Sequence, residues 1–518
     1  MKRLPIGYAT RKDMLNNNCL YIDKTKFVAE LVDGSKCYFL SRPRRFGKSL
    51  FVDTLKQAFL GNKELFKGLY LENNWGWDTI YPVIHISFGT NQFYIDQASG
   101  LIDKINAILE LNAVEYGLEI RGNSYSDNFQ NLIIDLHKKY NQNVVILVDE
   151  YDKPILDVIE NSDLAKTSRD VLRGLYSVIK ENDQYLKLVF LTGVSKFSKA
   201  GLFSGLNNLE DISLNAQYSD ICGYTQANIE NELSEYMEAG KVDLTQLKRW
   251  YNGYNFGGSE VQKVYNPFDI LLFCKNNYLY DYYWFQTGTP TFLVKVLTQK
   301  RYYVPTLENT LVDSTLLNTF DIDNMPFVAL LFQTGYLTID EIVTINGAIN
   351  YKLKYPNLEV QVSLSAYLAQ MGNTYENTSN NINNLRQMVY NNKLDEIGQL
   401  IASHFAGIPH QWYTNNDINE YEGFYASVVY SLFCALGYDL VPEDTTNKGR
   451  IDLTIKTSDK VIILEFKLGG TAEIAIEQIK SRNYADKYKS LGIPIYLAGI
   501  TFDPQSRNLL DYQWQEFK

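Results

Sequence analysis

The sequence predicts an α/β protein: a parallel-sheet module, a mostly helical middle region, and a smaller α/β module at the C-terminal end. Two observations carry this. Over the first 220 residues, short and almost continuously apolar runs alternate with longer helical patterns, the signature of a parallel sheet covered by helices on both faces. Over the last hundred residues, a helical pattern, two strands around a tight turn, a second helix and a closing strand follow one another. Length sets the scale, since 518 residues suffice for roughly three domains. The expected boundaries are 1–224, 225–410 and 411–518.

The expected strands of the first module are KCYFLS (36–41), PVIHISF (82–88), NVVILVDE (143–150), LKLVFLTG (186–193) and DISL (211–214). From 225 to 410 the texture changes. Tyr, Phe and Asn are frequent, and the region is expected to be helical, either a lid or a winged-helix-like domain. YNGYNF (251–256) and YNPFD (265–269) read as turns that lock aromatic side chains, and NTYENTSNNINN (373–384) as a polar loop or linker. In the last module, Tyr421, Phe424, Tyr425, Val428, Val429, Leu432 and Leu436 recur at helical spacing, ended by Gly437. RIDLTIK and VIILEFK then flank the turn TSDK. A helix from Ala472 to Tyr488 follows, with Thr471 as its N-cap, and PIYLAGI closes the pattern.

Composition limits the function classes. Hydrophobic residues make up 45% and charged residues 21%, an ordinary soluble balance. No apolar run approaches the ~18 residues of a membrane span, and no signal segment opens the chain, so no membrane association is expected. Five scattered cysteines without a C-x-x-C pair suit reduced thiols in a cytoplasm and exclude a zinc site. His404 and His410, flanking FAGIP, are too few for a metal centre. The net charge of −11 argues against sequence-blind coating of nucleic acid. Residues 440–518 are neutral, however, with 11 basic and 11 acidic side chains, which leaves room for a local nucleic-acid site.

The stretch SRPRRFGKSL (41–50) carries the first chemistry. Its second half ends as a phosphate-binding P-loop does, between a strand and an amphipathic helix from Ser49 to Leu60. Gly47 permits close backbone approach, Lys48 neutralises the β- and γ-phosphates of ATP, and Ser49 holds Mg²⁺. Where the usual pattern has glycine the chain has Arg42, followed by Pro43, so the front of the loop takes another path. Arg42, Arg44 and Arg45 read either as a solvated basic turn or as phosphate or carboxylate contacts, and with Phe46 they complete the loop assigned to the nucleotide. ILVDE ends a second strand in Asp149, expected in the Mg²⁺ shell, and Glu150, expected as the base that polarises attacking water. Thr192 at the end of the fourth strand and Ser195 just after it are candidate γ-phosphate sensors, with a structural turn the alternative. Arg169 and Arg173 are candidate intersubunit fingers of a homo-oligomer, with a surface role the alternative.

LYIDKTKFV, FLSRPRRFGKSL, PVIHISF, ILVDEYDKPI and FLTGVSKFSKAGLFSGLNNLEDISL closely resemble the bacterial and archaeal AAA-ATPase-like proteins. Members commonly carry RPRRFGKS, so Arg42 is no departure within that family. The resemblance covers most of residues 1–220. It implies an AAA-related P-loop NTPase core, and implies that Asp23, Lys24 and Thr25 lie near the nucleotide.

The second chemistry lies in RIDLTIKTSDKVIILEFKL. Read as a hairpin symmetric about Ser458–Asp459, it sets Asp452 opposite Glu465 on one face, and Lys467 shares that face. Facing carboxylates repel unless a cation lies between them. With an adjacent lysine they form a set suited to phosphodiester hydrolysis assisted by Mg²⁺ or Mn²⁺. Glu422 is a third carboxylate on the preceding helix, and Gln478 and Tyr484 lie on the following one. The bland reading is solvated charges at strand ends. The order helix, Asp strand, E-x-K strand, helix resembles the PD-(D/E)XK nuclease superfamily. GRIDL, EFKL and AIEQIKSRNYADKY resemble the restriction-endonuclease-like domain that commonly follows the AAA-ATPase-like domain, over about residues 418–505. That resemblance implies Asp452, Glu465 and Lys467 as the catalytic core with Glu422 as the helix acid. Many relatives carry His where this chain has Ala426.

These readings lead to an ATP-binding and ATP-hydrolysing protein coupled to a metal-dependent nuclease, acting on nucleic acid, with DNA the first expectation, in defence, mobile-element biology or repair. The alternative is an ATP-driven switch or scaffold whose nuclease-like domain only binds nucleic acid or protein. A small-molecule kinase would leave the last hundred residues unexplained.

Overall fold

The computed structural model describes residues 1–89, 98–196, 202, 208–258, 261–287, 303–317, 326–370, 373–408 and 422–518. The chain divides into two compact units. One comprises Met1–Trp284 with Leu311–Pro356, the other Phe285–Thr310 with Asn357–Lys518. Residues 225–410, expected as one middle region, contribute to both. Tyr421 and His410 lie outside the described residues. Among the described residues no helix is long and apolar enough to cross a membrane.

The first unit is built on five parallel strands: β1 (Cys37–Ser41), β2 (Val83–Ser87), β3 (Val144–Asp149), β4 (Leu186–Gly193) and β5 (Glu210–Asp211), in the order β2-β3-β4-β1-β5. β1, β3 and β4 are almost wholly buried, which explains why they read as continuous apolar runs. The expected fifth strand, 211–214, is shifted to Glu210–Asp211, because Asp211 turns the chain by accepting from the Ser213 amide at 2.9 Å. Parallel strands deliver their carboxyl ends to one edge, and here Ser41 pairs with Gly193 and Ser87 with Asp149. Helix α1 (Lys48–Phe59) leaves β1 and buries Phe51, Val52, Leu55, Ala58 and Phe59.

The same unit holds the short pair β6 (Asn252–Tyr254) and β7 (Val264–Tyr265), and a three-stranded sheet of β8 (Leu311–Asp313), β9 (Thr338–Ile345) and β10 (Ala348–Lys354), in the order β8-β10-β9. The stretches expected as turns instead supply this strand pair and adjoining helix ends, but their aromatic side chains are locked as expected: Tyr251, Tyr254 and Tyr265 are buried, and Asn266 caps the helix Pro267–Lys275 by accepting from the Phe268 amide.

The second unit holds the mixed sheet β11 (Asp439–Thr446), β12 (Gly449–Lys456), β13 (Val461–Leu468), β14 (Ile495–Asp503) and β15 (Asn508–Glu516), in sequential order, with only β13 and β14 parallel. Helix α2 (Glu422–Cys434) packs into its core, where Tyr425 stacks on Phe502 at 4.7 Å. The stretch expected as a linker is instead the start of a helix, Tyr375–Tyr390. Its many Asn residues hide a stripe of Thr378, Ile382, Leu385 and Val389 that is buried, and Thr374 caps it.

The expected long helix after the E-x-K strand is shorter. Helix α3 (Ala472–Ser481) ends at Asn483, whose φ of 50° is left-handed, and 3₁₀ turns continue from Tyr484 to Leu491. Thr471 occupies the N-cap position without a side-chain bond. Asp511 serves instead, accepting from the Ala472 amide at 2.9 Å. The helix start lies directly on β14: a Cβ added at Gly499 would fall 2.1 Å from the Ala472 carbonyl oxygen. Gly499→Val is therefore expected to destabilise the second unit by about 1–3 kcal/mol through overpacking. Denaturant unfolding measures this, and an unchanged midpoint would contradict the close approach.

Candidate nucleotide and nuclease-like sites

At the edge of the first sheet, the loop between β1 and α1 bends twice into the left-handed region, at Arg45 (φ 68°) and Gly47 (φ 92°). No side chain crowds Gly47, so backbone conformation, not space, requires glycine there. The buried Lys48 Nζ donates to the carbonyls of Arg42 and Pro43, at 2.9 Å each, closing the loop on itself. Burial lowers its pKa, while Asp149 and Glu150 act in the opposite direction. Asp149 is buried with Oδ1 unpartnered. Burial raises its pKa, and the hydrogen bond with the exposed Ser49 offsets part of that. Glu150 has a left-handed φ of 54°, which aims its carboxylate across the sheet edge toward Gly89. Burial and the neighbouring Asp149 raise its pKa. Thr192 is fully buried, with its hydroxyl unpartnered.

Within the second unit, β12 and β13 pair in the register that the symmetric turn predicts, from Lys456–Val461 to Leu453–Leu464. One step further sets Asp452 against Glu465. Asp452 Oδ2 accepts from the Phe466 amide at 2.7 Å. Glu465 is 1% exposed, and its Oε1 accepts from Lys467 Nζ at 2.9 Å and from Gln478 Nε2. Its Oε2 is buried without a partner. Glu422 on α2 accepts from the Leu468 amide at 3.1 Å. Tyr484 is drawn elsewhere, donating to the Arg450 carbonyl at 2.9 Å. Ala426 is buried and offers no polar side-chain atom. Burial raises the pKa values of Asp452 and Glu465, and repulsion from Asp452 raises that of Glu465 further.

Comparison with known proteins bears on both sites. Residues 5–203 match the family model described as "Predicted AAA-ATPase", and residues 420–512 match that of the PD-(D/E)XK nuclease superfamily. A protein of Azotobacter chroococcum mcd 1, described as "Uncharacterized protein in vnfD 5'region", is 43% identical over 519 residues, spanning 99% of this chain and 98% of that one. The chain belongs to the AAA-ATPase-like family, with a C-terminal PD-(D/E)XK nuclease superfamily domain.

In the ATPase-like domain, two loop residues grouped with the nucleotide on sequence grounds have other work. The Arg42 guanidinium is 1% exposed and donates to the carbonyls of Ser41, Ser213 and Tyr218 at 2.8–2.9 Å, with the Phe256 ring 4.0 Å away. Burial pushes its pKa down to about 10. Its charge is spent on fixing the front of the loop, the task glycine performs conformationally in the usual pattern. Phe46 is buried between Tyr254 and Phe256, at 4.8 and 5.6 Å, and acts as a packing anchor. Arg44 and Arg45 are exposed, and Arg45 lies 5.0 Å from the Phe268 ring.

Asp23 and Thr25 accept from the amides of Tyr70 and Leu71, whereas Lys24 pairs with Asp220 at 3.4 Å. Arg169 and Arg173 both pair with Asp170 on their own helix. Asp152, passed over in the sequence, is 1% exposed and accepts from the Val194 amide and from the Ser195 amide and hydroxyl, at 2.5–3.0 Å. It ties the DE strand to the loop after β4. The carboxylate three residues beyond Asp149 was its only visible signal.

In the nuclease-like domain the donor set is all oxygen, which suits Mg²⁺ or Mn²⁺. The orphaned Glu465 Oε2 is a lone pair that a cation would satisfy. Among the described residues no three acidic, histidine or cysteine side chains already converge on one cation position. Lys467 instead supplies the positive charge beside Glu465. A carboxylate with a raised folded pKa costs nothing below the ordinary range near pH ~4 and destabilises as pH rises through the raised value. Without divalent cations, Glu465→Gln should therefore stabilise the protein at pH 8 by on the order of 1 kcal/mol or more. The gain should vanish near pH 4. Urea unfolding at both pH values measures it, and a loss of stability at pH 8 would contradict the repulsion.

Proposed function

We propose that the protein binds and hydrolyses ATP with Mg²⁺ at the first site, and cleaves phosphodiester bonds of nucleic acid, DNA foremost, at the second. One observation carries the nuclease reading: Asp452, Glu465 and Lys467 meet on one face, with a buried carboxylate oxygen left without a partner. A fold kept only as scaffold would gain stability by losing that arrangement, because unpaired buried charge is costly.

Asp452 and Glu465 would hold Mg²⁺ or Mn²⁺, which when bound neutralises the carboxylates and lowers the pKa of water, with Glu422 as the acid on the neighbouring helix. Lys467 faces the same spot and offsets charge that develops on the cleaved phosphate. Gln478 orients Glu465 through its side-chain amide. At the first site, the amides at the start of α1 and Lys48 bind the phosphates of ATP, and Ser49 and Asp149 would hold Mg²⁺. Glu150 accepts the proton of attacking water, and Thr192 meets the terminal phosphate. Arg44 and Arg45 add positive charge at the mouth of the loop. The chain acts in the cytoplasm, and assembly into a homo-oligomer would bring further arginines to this edge.

The test is cleavage of plasmid, single-stranded DNA and RNA by the full chain with Mg²⁺ or Mn²⁺, with and without ATP. Lys467→Ala should lower cleavage about 100-fold or more while ATP hydrolysis persists. Lys48→Ala should abolish ATP hydrolysis. Cleavage that survives Lys467→Ala would overturn the site assignment. No cleavage of any substrate, with hydrolysis intact, would favour the scaffold.

A further inference from the structure

Beside the carboxylates, three residues form an arrangement with no part in the chemistry above. On β11 the pairing with β12 runs from Asp439–Lys456 through Pro442–Leu453 and resumes at Asp444–Ile451. Glu443 falls in the gap, opposite Asp452, with a left-handed φ of 50° that turns its side chain out of the regular pleat. Its Oε1 accepts from the Tyr303 hydroxyl at 2.6 Å, and its Oε2 pairs with Arg450 Nε. Arg450 lies two residues before Asp452 on β12, so its side chain belongs to the same face of the sheet.

The Arg450 backbone is held as well. Its carbonyl accepts from Tyr484, and a Cβ on the preceding Gly449 would fall 2.6 Å from that hydroxyl. Yet the Arg450 side chain is 64% exposed, and its two terminal nitrogens hold no hydrogen bond among the described residues. An exposed ion pair adds little to stability. A guanidinium ion-paired with Glu443 through its Nε side, although that carboxylate oxygen gains no hydrogen bond from it, keeps its outer edge open as a bidentate donor for an anion. Carboxylates that repel a polyanion leave a need for such a cation at their margin.

We propose that Arg450 binds a backbone phosphate of the nucleic acid next to the scissile one, with Glu443 and Tyr303 as positioning residues that aim it. This rests on the nuclease reading. The test is fluorescence anisotropy of labelled single-stranded DNA, duplex DNA and RNA with the full chain, in Ca²⁺ to suppress cleavage, across a salt series. Arg450→Ala should weaken binding about 10-fold and reduce the slope of log Kd against log salt by close to one phosphate contact. Arg450→Lys should keep the slope but recover only part of the affinity, because lysine lacks the fork. Tyr303→Phe should weaken binding about 2–3-fold with the slope intact, losing aim without losing charge. The exposed Lys489→Ala serves as a control for general electrostatics. Melting temperatures establish that each variant is folded.

Binding by the wild type that Arg450→Ala leaves unchanged, or that Lys489→Ala weakens equally, would overturn the proposal alone. Absence of binding by the wild type to all three probes would overturn the nuclease reading, and the proposal with it.

Discussion

Charge withdrawn into a sheet is the constraint on which both sites depend. Lys48 and Asp149 sit at the carboxyl edge of one sheet, and Asp452 and Glu465 on adjacent strands of the other; Lys48, Asp149 and Glu465 are buried and Asp452 is half-buried. Desolvation opposes charge in every one of them. The chain meets this with internal substitutes. Lys48 donates to two carbonyls of its own loop, and Glu465 accepts from Lys467 and Gln478. At each site one carboxylate oxygen stays without a partner, Oδ1 of Asp149 and Oε2 of Glu465. Unfinished electrostatics of this kind are what a phosphate or a cation can complete.

The surrounding residues keep those charges in place. Arg42 ties the loop front to residues 213 and 218, and Phe46 anchors its middle among Tyr254 and Phe256. Pro43 lies against Gly335, where a Cβ would come within 2.7 Å of its ring. Asp152 clamps the loop after β4 with three hydrogen bonds. Such supporting contacts hold a site rigid so that its charged groups need not reorganise when a ligand arrives. They also explain how a P-loop can dispense with its first glycine: an arginine whose charge is spent on carbonyls fixes the same turn from outside.

Much of this was legible in the sequence for simple reasons. A symmetric turn between two apolar strands leaves one hairpin register that buries both, and that register set Asp452 opposite Glu465. Continuous apolar runs gave the buried strands of the first sheet. Other features needed the third dimension. Charge is visible in Arg42, but two of its three carbonyl partners lie over 170 residues away. The helix Tyr375–Tyr390 was masked by Asn-rich composition, although Ile382, Leu385 and Val389 keep helical spacing. Glu443 looks like any strand residue until its left-handed φ is known, and Asn483 breaks a helix whose periodicity runs on past it.

The most direct test of two sites that await counter-charge is ligand-induced stabilisation. Thermal unfolding of the full chain would be followed with Mg·ATP and, separately, with Mn²⁺ alone. A ligand at ~100 times its Kd should stabilise its site by about 2.7 kcal/mol. The account predicts that Mg·ATP raises the melting temperature in the wild type and Glu465→Gln but not in Lys48→Ala. It predicts that Mn²⁺ does so in the wild type and Lys48→Ala but far less in Glu465→Gln. No shift in the wild type from either ligand, or shifts that ignore both substitutions, would contradict it.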